Sequence, residues 1–419
     1  MTEVVVEIDG LAPGGDAVGR QRDPAGQETA SNGRATFVPL AAPGERVRVR
    51  IEREKGRVAW GELVEIEHPS PARVTPPCPV FGVCGGCQWQ HVEVGAQRAA
   101  KQAIVARALG GEVEVPAVRS AGAEYGYRDR AKWAVGKGGA LGFRARRSHD
   151  VVDHVVDGRY VCLLPGPELA RAFPALRVMA RGLAPEIEIE AQAGADGVHV
   201  NVVRADVTSA SHVRREVDRL EAAGVVGLSV GGKNLWGRET VDVGEVGSAP
   251  LRVPAGGFAQ VGRAANAALV AAVVEAMGDD PGEVVELYAG SGNFTRHLVE
   301  RWPGRVRASD GDPAAVARGR VGVPGAAWSA GVPTVEADTV LLDPPREGAD
   351  RAHLSAAARA RRKIVYVSCD PQTLGRDARI LAEAGFRPVS AVALDLMPQT
   401  FHVEVVTVFL RSPDRLRTP

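Results

Sequence analysis

From residue 256 onward, runs that read as helices alternate with short apolar runs that read as strands, and this alternation constrains the fold more than any other feature of the chain. AALVAAVVEAM and TRHLVERW have helical character, EVVELYAG, RVRASD, TVLLDPP and KIVYVSC read as strands, and LGRDARILAEAG reads as a helix. The pattern is that of an open, mostly parallel α/β sheet, which binds ligands at the carboxyl ends of its strands. Residues 256–419 are therefore expected to form one α/β domain. Upstream the texture differs. Residues 1–66 hold the β-rich runs EVVVEIDG, ATFVPL and ERVRVRIEREKGRVAWGELVEIEH between Gly and Pro turns, the pattern of a separate small β-barrel. The Pro-rich linker SPARVTPPCP follows, and residues 67–255 read as a mixed α+β region of hairpin-like strands and short helices.

Composition narrows the partners. The 51 basic and 51 acidic residues cancel, so no overall field draws the chain to nucleic acid. Locally, residues 119–147 carry eight Lys or Arg against two acids, interleaved with Tyr125, Tyr127, Trp133 and Phe143, a mixture suited to phosphates and stacked bases. Nucleic-acid contact is expected here, with an exposed hairpin that carries this charge without any RNA as the alternative. No apolar run approaches a membrane span, and the acidic MTEVVVEIDG start is unlike a secretory leader, so a cytoplasmic protein is expected. Five cysteines, three of them within ten positions, point to metal binding or catalysis rather than to a secreted disulfide framework.

The first strand of the α/β domain ends in ELYAGSGNFT, where Gly290 and Gly292 let backbone approach a ligand closely. The dinucleotide fingerprint fails because residue 295 is Thr, and the triphosphate-binding P-loop pattern is missing. The next strand ends in Asp310, placed to accept hydrogen bonds from ribose hydroxyls. A nucleoside-bearing cofactor follows, and S-adenosylmethionine fits best. LLDPPREG then sets Asp343 at the ligand edge, with Arg346 where an amino-methylating enzyme would place a stacking aromatic. The strand KIVYVSC ends in Cys369, before a helix whose amino-terminal N–H groups are expected to favour the thiolate. Carbon 5 of a pyrimidine becomes nucleophilic when a thiolate adds to carbon 6, so Cys369 is a candidate nucleophile, with a buried inert cysteine as the alternative. His402 and Glu404, in MPQTFHVEVV, are each chemically able to serve as the base that later removes the C5 proton.

Taken together, GGFAQV, ELYAGSGNFT, LLDPPREG, VYVSCDPQTLGRD and MPQTFHVE resemble the RNA uracil-C5 methyltransferase family over nearly the whole chain. The resemblance implies a class I S-adenosylmethionine-dependent methyltransferase domain with a Rossmann-like sheet. It makes Cys369 the nucleophile, Glu404 the base, and Gln260, Tyr288, Asn293, Asp310 and Asp343 the cofactor-binding residues. Residues 1–66 are similar to the TRAM module, an OB-like RNA-binding barrel carried by some members. Cys78, Cys84 and Cys87, spaced C-x5-C-x2-C, and the remote Cys162 supply four thiolates that suit either zinc or an iron–sulfur cube. Several members of the family hold a 4Fe-4S cluster at this spacing, which implies the cube. The substrate implied is RNA, ribosomal RNA ahead of transfer RNA, with no membrane and no obligate protein partner. A weakly catalytic, cluster-carrying RNA-binding paralogue is the alternative, because the segment between Asp310 and Asp343 is short and shows neither the usual asparagine-rich helix nor a third strand bearing an adenine-site acid. RNA cytosine-C5 enzymes use a second cysteine after the strand ending in Asp343, and none stands there.

Overall fold

The computed structural model describes residues 2–22, 34–205, 207–245, 248–254 and 256–412. Its amino-terminal strands Glu3–Leu11, Ala17–Arg22, Ala35–Val38, Arg46–Lys55 and Val58–His68 close into a five-stranded barrel. Alternation dictates this: in RVRVRI every second residue turns inward, and Val47, Val49 and Ile51 join Val6 and Ile8 in the core. The barrel is not self-contained. Trp89, Val92 and Ile104 complete its core, and the Trp89 indole N–H donates to the Gly15 carbonyl at 2.9 Å. Five strands enclose too little apolar volume by themselves, so this small sheet borrows a wall from the segment after it.

The central region is built on a seven-stranded sheet running from Lys233–Gly237 at one edge to Val151–Asp153 at the other, with the helix Pro167–Ala180 against one face. Trp133 lies at its centre, fully buried and edge-on to Phe173 at 5.2 Å. This corrects the expectation that Trp133 is there to stack bases. Trp133 is core, the Tyr127 hydroxyl donates to the Pro398 carbonyl at 2.9 Å, and several of the cations are already paired, Arg119 with Glu275, Lys132 with Glu188, and Arg146 and Arg147 with Asp16 of the barrel. The positional alternation of a strand put Trp133 inward, and the composition of the stretch could not show it.

The carboxy-terminal domain contains an eight-stranded sheet. Its order is Ala327–Ala330, Val306–Asp310, Val284–Leu287, Thr339–Leu342, Lys363–Ser368, Glu404–Arg411, Phe386–Asp395 and Arg119–Ser120. The first five run parallel and Glu404–Arg411 is inserted antiparallel beside Lys363–Ser368. Helices cover both faces, as a parallel sheet requires. A third strand, Ala327–Ala330, and a helix, Pro313–Gly322, do occupy the segment where neither was legible. Four residues, AWSA, with only Trp328 fully turned into the core, carry too little apolar signal to be seen without the neighbour they pair with.

The connecting helix Val94–Ala108 packs against the helix Pro371–Glu383, which follows Cys369. Gly375 permits this contact: a Cβ there would stand 2.4 Å from the Ala108 carbonyl oxygen. A glycine inside a helix costs about 1 kcal/mol, which the close packing offsets. Lys101 of the connecting helix is wholly buried and forms an ion pair with buried Asp395 at 2.5 Å. Each charge is tolerable there only because the other is present.

Candidate active site

The carboxyl ends of the parallel strands open into a cleft of about 1390 Å³, walled by the barrel turn at Gly14 and Asp16, the loop Gly85–Gln88, the central sheet and the α/β domain. All seven residues expected at the catalytic and cofactor sites, Gln260, Tyr288, Asn293, Asp310, Asp343, Cys369 and Glu404, line this one cavity.

At the glycine-rich turn, Gly290 and Gly292 have φ of 58° and 103°, and the Gly290 N–H donates to Asp310 Oδ2 at 2.8 Å. Asp312 N–H donates to the other oxygen, so the carboxylate is oriented at the turn with lone pairs left over for a ligand. Tyr288 also lies in the left-handed region, at φ 59°, unusual for a bulky residue. Its ring stacks on His353 at 4.1 Å and its hydroxyl accepts from the Asp350 N–H. These contacts over-determine the strained backbone, as a preorganised ligand wall requires. Asn293 reaches the cavity, but both polar atoms of its amide already pair with Asn266, at 2.8 and 2.9 Å.

Glu286, which sequence reasoning passed over, lies buried beneath this turn and accepts from the Thr295 hydroxyl at 2.7 Å. Burial, opposed by that hydrogen bond and reinforced by the charges of Asp343 and Asp310, pushes its pKa up to about 8. The signal was present in VVEL, an acid in the middle of a fully buried strand.

Asp343, Cys369 and Glu404 come from three neighbouring strands: the first two follow Leu342 and Ser368 directly, and Glu404 begins the antiparallel strand between Lys363–Ser368 and Phe386–Asp395. Their mutual effects are strong. Burial raises the Asp343 carboxyl to about 7, and burial together with the Asp343 charge lifts Glu404 well above the usual carboxylate range. The Cys369 thiol is pushed up to about 12, by burial first and then by the charges of Glu404 and Asp343, with Arg346 acting in the opposite sense. This overturns the expected depression of the thiol. The helix Pro371–Glu383 does begin where the sequence placed it, but Asp370 caps it, accepting from Gln372 N–H and Thr373 N–H and putting a negative charge beside the sulfur. His402 lines the cleft before the strand begins, and burial with Arg346, Arg128 and Lys101 nearby lowers it to about 4, so its imidazole is neutral at physiological pH.

The four remaining cysteines line a second, small cavity with Gln90, Phe143, His154, Leu163 and Leu164. None is disulfide-bonded. The Gly86 N–H donates to Cys84 Sγ at 3.4 Å and the Gln90 amide to Cys87 Sγ at 3.1 Å. Among the described residues, no three His, Cys, Asp or Glu side chains come together as a cage for a single metal ion.

Residues 2–64 match the TRAM domain, and residues 332–412 match a family described as tRNA (Uracil-5-)-methyltransferase. A Caulobacter vibrioides protein described as an uncharacterized RNA methyltransferase is 33% identical, over 94% of this chain and 99% of its own. The 23S rRNA (uracil(1939)-C(5))-methyltransferase RlmD of Dechloromonas aromatica is also 33% identical, over 91% of this chain and 96% of its own. The chain belongs to the RNA uracil-C5 methyltransferase family. Members are S-adenosylmethionine-dependent transferases, and the fold agrees: the Pyrococcus abyssi tRNA (uracil-54, C5)-methyltransferase, solved with S-adenosyl-L-homocysteine, superposes with a TM-score of 0.73 at 23% identity, covering 97% of this chain and 99% of that one. This RNA uracil-C5 methyltransferase joins a TRAM barrel to the catalytic sheet, and none of its described helices is long and apolar enough to cross a membrane.

Proposed function

We propose that this enzyme methylates carbon 5 of one uridine in large-subunit ribosomal RNA, in the cytoplasm, through a covalent adduct between Cys369 and carbon 6. The observation that carries the reading is the convergence of Cys369, Glu404 and Asp343 at one sheet edge, beside the Tyr288 and Asp310 wall of the same cleft. Bound S-adenosylmethionine supplies an electrophilic methyl group on a sulfonium and leaves as a neutral thioether. Gln260, Tyr288, Asn293, Asp310 and Asp343 would hold it, Asp310 at the ribose, Asn293 by exchanging Asn266 for the ligand or by shaping the wall.

The protein's part runs as follows. Cys369 releases its thiol proton to solvent, Sγ bonds to C6, and the C5–C6 electron pair moves into an enolate that makes C5 the nucleophile. Asp343 borders both cofactor wall and thiol, and orients the uracil. After C5 is methylated, the Glu404 carboxylate takes the C5 proton, the electron pair of the broken C–H bond restores C5=C6, and the C6–S bond breaks to return the thiolate. Addition needs the thiol deprotonated and product release needs Glu404 deprotonated, and both groups are raised in the free protein. Single-turnover methyl transfer, which depends on the thiol, should thus climb with pH from about 6 to about 9, with no fall on the alkaline side in that range. A rate that declines over this interval would contradict a raised thiol.

Cys78, Cys84, Cys87 and Cys162 would hold a 4Fe-4S cluster. The donor set fits: four unbridged thiols share one cavity, two with hydrogen-bond donors on their sulfurs. Four cysteine ligands leave no open iron position for substrate, so the cluster's part is to shape the loop that walls the cleft.

The choice of RNA rests on the relatives' substrates, and mapping 5-methyluridine in total RNA from a deletion strain tests it. The modification should vanish from one position of large-subunit ribosomal RNA. Loss from transfer RNA alone would assign the tRNA substrate instead.

A further inference from the structure

Glu404 is the first residue of its strand, paired there with Leu394. The residues that lead into it, Leu396 to Val403, carry no strand pairing, although Leu396, Met397, Thr400 and His402 all line the cleft. A leading loop with free backbone groups would leave this strand end to fray. Here those groups are occupied, by residues some three hundred positions away in sequence. The Gln399 carbonyl accepts from the N–H groups of Gln88 and Trp89, each at 3.0 Å. The Gln399 N–H donates to Gln97 Oε1 at 2.9 Å, and Gln97 Nε2 donates back to Gln399 Oε1 at 3.0 Å. Lys101 Nζ donates to the Met397 carbonyl and Tyr127 to that of Pro398. Phe401 packs on the barrel core.

Gln97 is the centre of this hold. It is fully buried on the connecting helix, and its amide also donates to the carbonyls of Trp89 and Val92. Gln399 is itself buried, with φ 69°, a left-handed conformation that costs about 1–3 kcal/mol in a residue other than glycine and persists only where its surroundings enforce it. An apolar side chain at position 97 would leave the Gln399 N–H and the Gln399 side-chain oxygen without this partner in a buried site.

We propose that Gln97 is a positioning residue for proton abstraction: it fixes Gln399, and through it the 396–403 loop, so that the Glu404 carboxylate meets the C5 proton. This rests on the reading of Glu404 as the base. The step it serves is balanced: the C5–H bond breaks, the proton passes to Glu404, its electron pair rebuilds C5=C6, and the C6–S bond opens to leave the Cys369 thiolate.

The test is Gln97→Met, close in length but unable to hydrogen-bond, compared with wild type and Glu404→Gln on radiolabelled target RNA in denaturing gels. Transfer of the methyl group in the first turnover and both kcat/KM values should stay near wild type, while kcat falls and the adduct trapped at steady state rises, each by roughly tenfold, since displacing a catalytic group by about 1 Å can cost up to about a hundredfold. Gln97→Glu, which keeps an acceptor for the Gln399 N–H, should lie between, and carries the same test if Gln97→Met does not fold. A lower kcat without adduct, or activity lost only in proportion to folded protein, makes Gln97 a packing residue and overturns the proposal. If Glu404→Gln also shows no adduct, the base has been misassigned and the inference falls with it; adduct in Glu404→Gln alone overturns only the inference.

Discussion

Cys369→Ala should abolish methylation and the covalent protein–RNA adduct together, a loss of several orders of magnitude, while Glu404→Gln should leave one methyl transfer possible and accumulate the adduct. The asymmetry follows from the order of events. Without addition at C6, carbon 5 has no carbanion character and cannot accept a methyl group. With addition but no base, the methylated intermediate still holds its C5 proton, and the C6–S bond cannot reopen. The folded state of Cys369→Ala should be intact, because the change removes one sulfur from a residue that lines the open cleft. RNA carrying 5-fluorouridine at the target should trap the wild type, because fluorine cannot leave as a cation. The decisive measurement is a denaturing gel with radiolabelled RNA. A shifted band or methyl transfer surviving in Cys369→Ala would falsify the covalent mechanism.

Protein purified without oxygen should be brown and carry about four irons per chain, and Cys78→Ser or Cys162→Ser should lose them. The effect should not stop at the metal. Cys87 is followed directly by Gln88 and Trp89, whose N–H groups hold the Gln399 carbonyl, and Trp89 both fills the barrel core and bonds the Gly15 carbonyl. A knuckle released from its cluster should therefore loosen the barrel and the loop before Glu404 at once, read as faster amide exchange in residues 12–16 and 396–403. Colourless protein with a single zinc, or exchange unchanged after iron loss, would sink the assignment or its structural role respectively.

How much of this was legible in the residues themselves depends on the range of the physics involved. The α/β domain was readable from 256 onward because strand and helix periods are local, and the cleft position of Gln260, Tyr288, Asn293, Asp310, Asp343, Cys369 and Glu404 followed from strand ends, where such sheets bind ligands. The barrel was readable from alternation in RVRVRI. The cysteine spacing pointed to four thiols, and they do share a cavity. Other properties belong to no segment. Whether Trp133 stacks a base or fills a core depends on Phe173, forty residues on. A thiol beside a helix amino terminus should be acidic by local rules, yet Cys369 is raised because the fold buries it against two carboxylates from other strands. Four residues, AWSA, become a strand only beside Val306–Asp310. Gln97 looks like any polar residue of a helix until Gln399, 302 positions away, turns its amide into a clasp. Periodicity, turn chemistry and motif spacing are set by neighbours in the chain, and so the sequence alone determined the sheet, the barrel and the residues at the strand ends. Burial, electrostatic coupling and long-range hydrogen bonding arise from groups brought together only by folding, so the tertiary structure alone decided the raised titration of Cys369 and Glu404 and the contacts that hold the loop before Glu404.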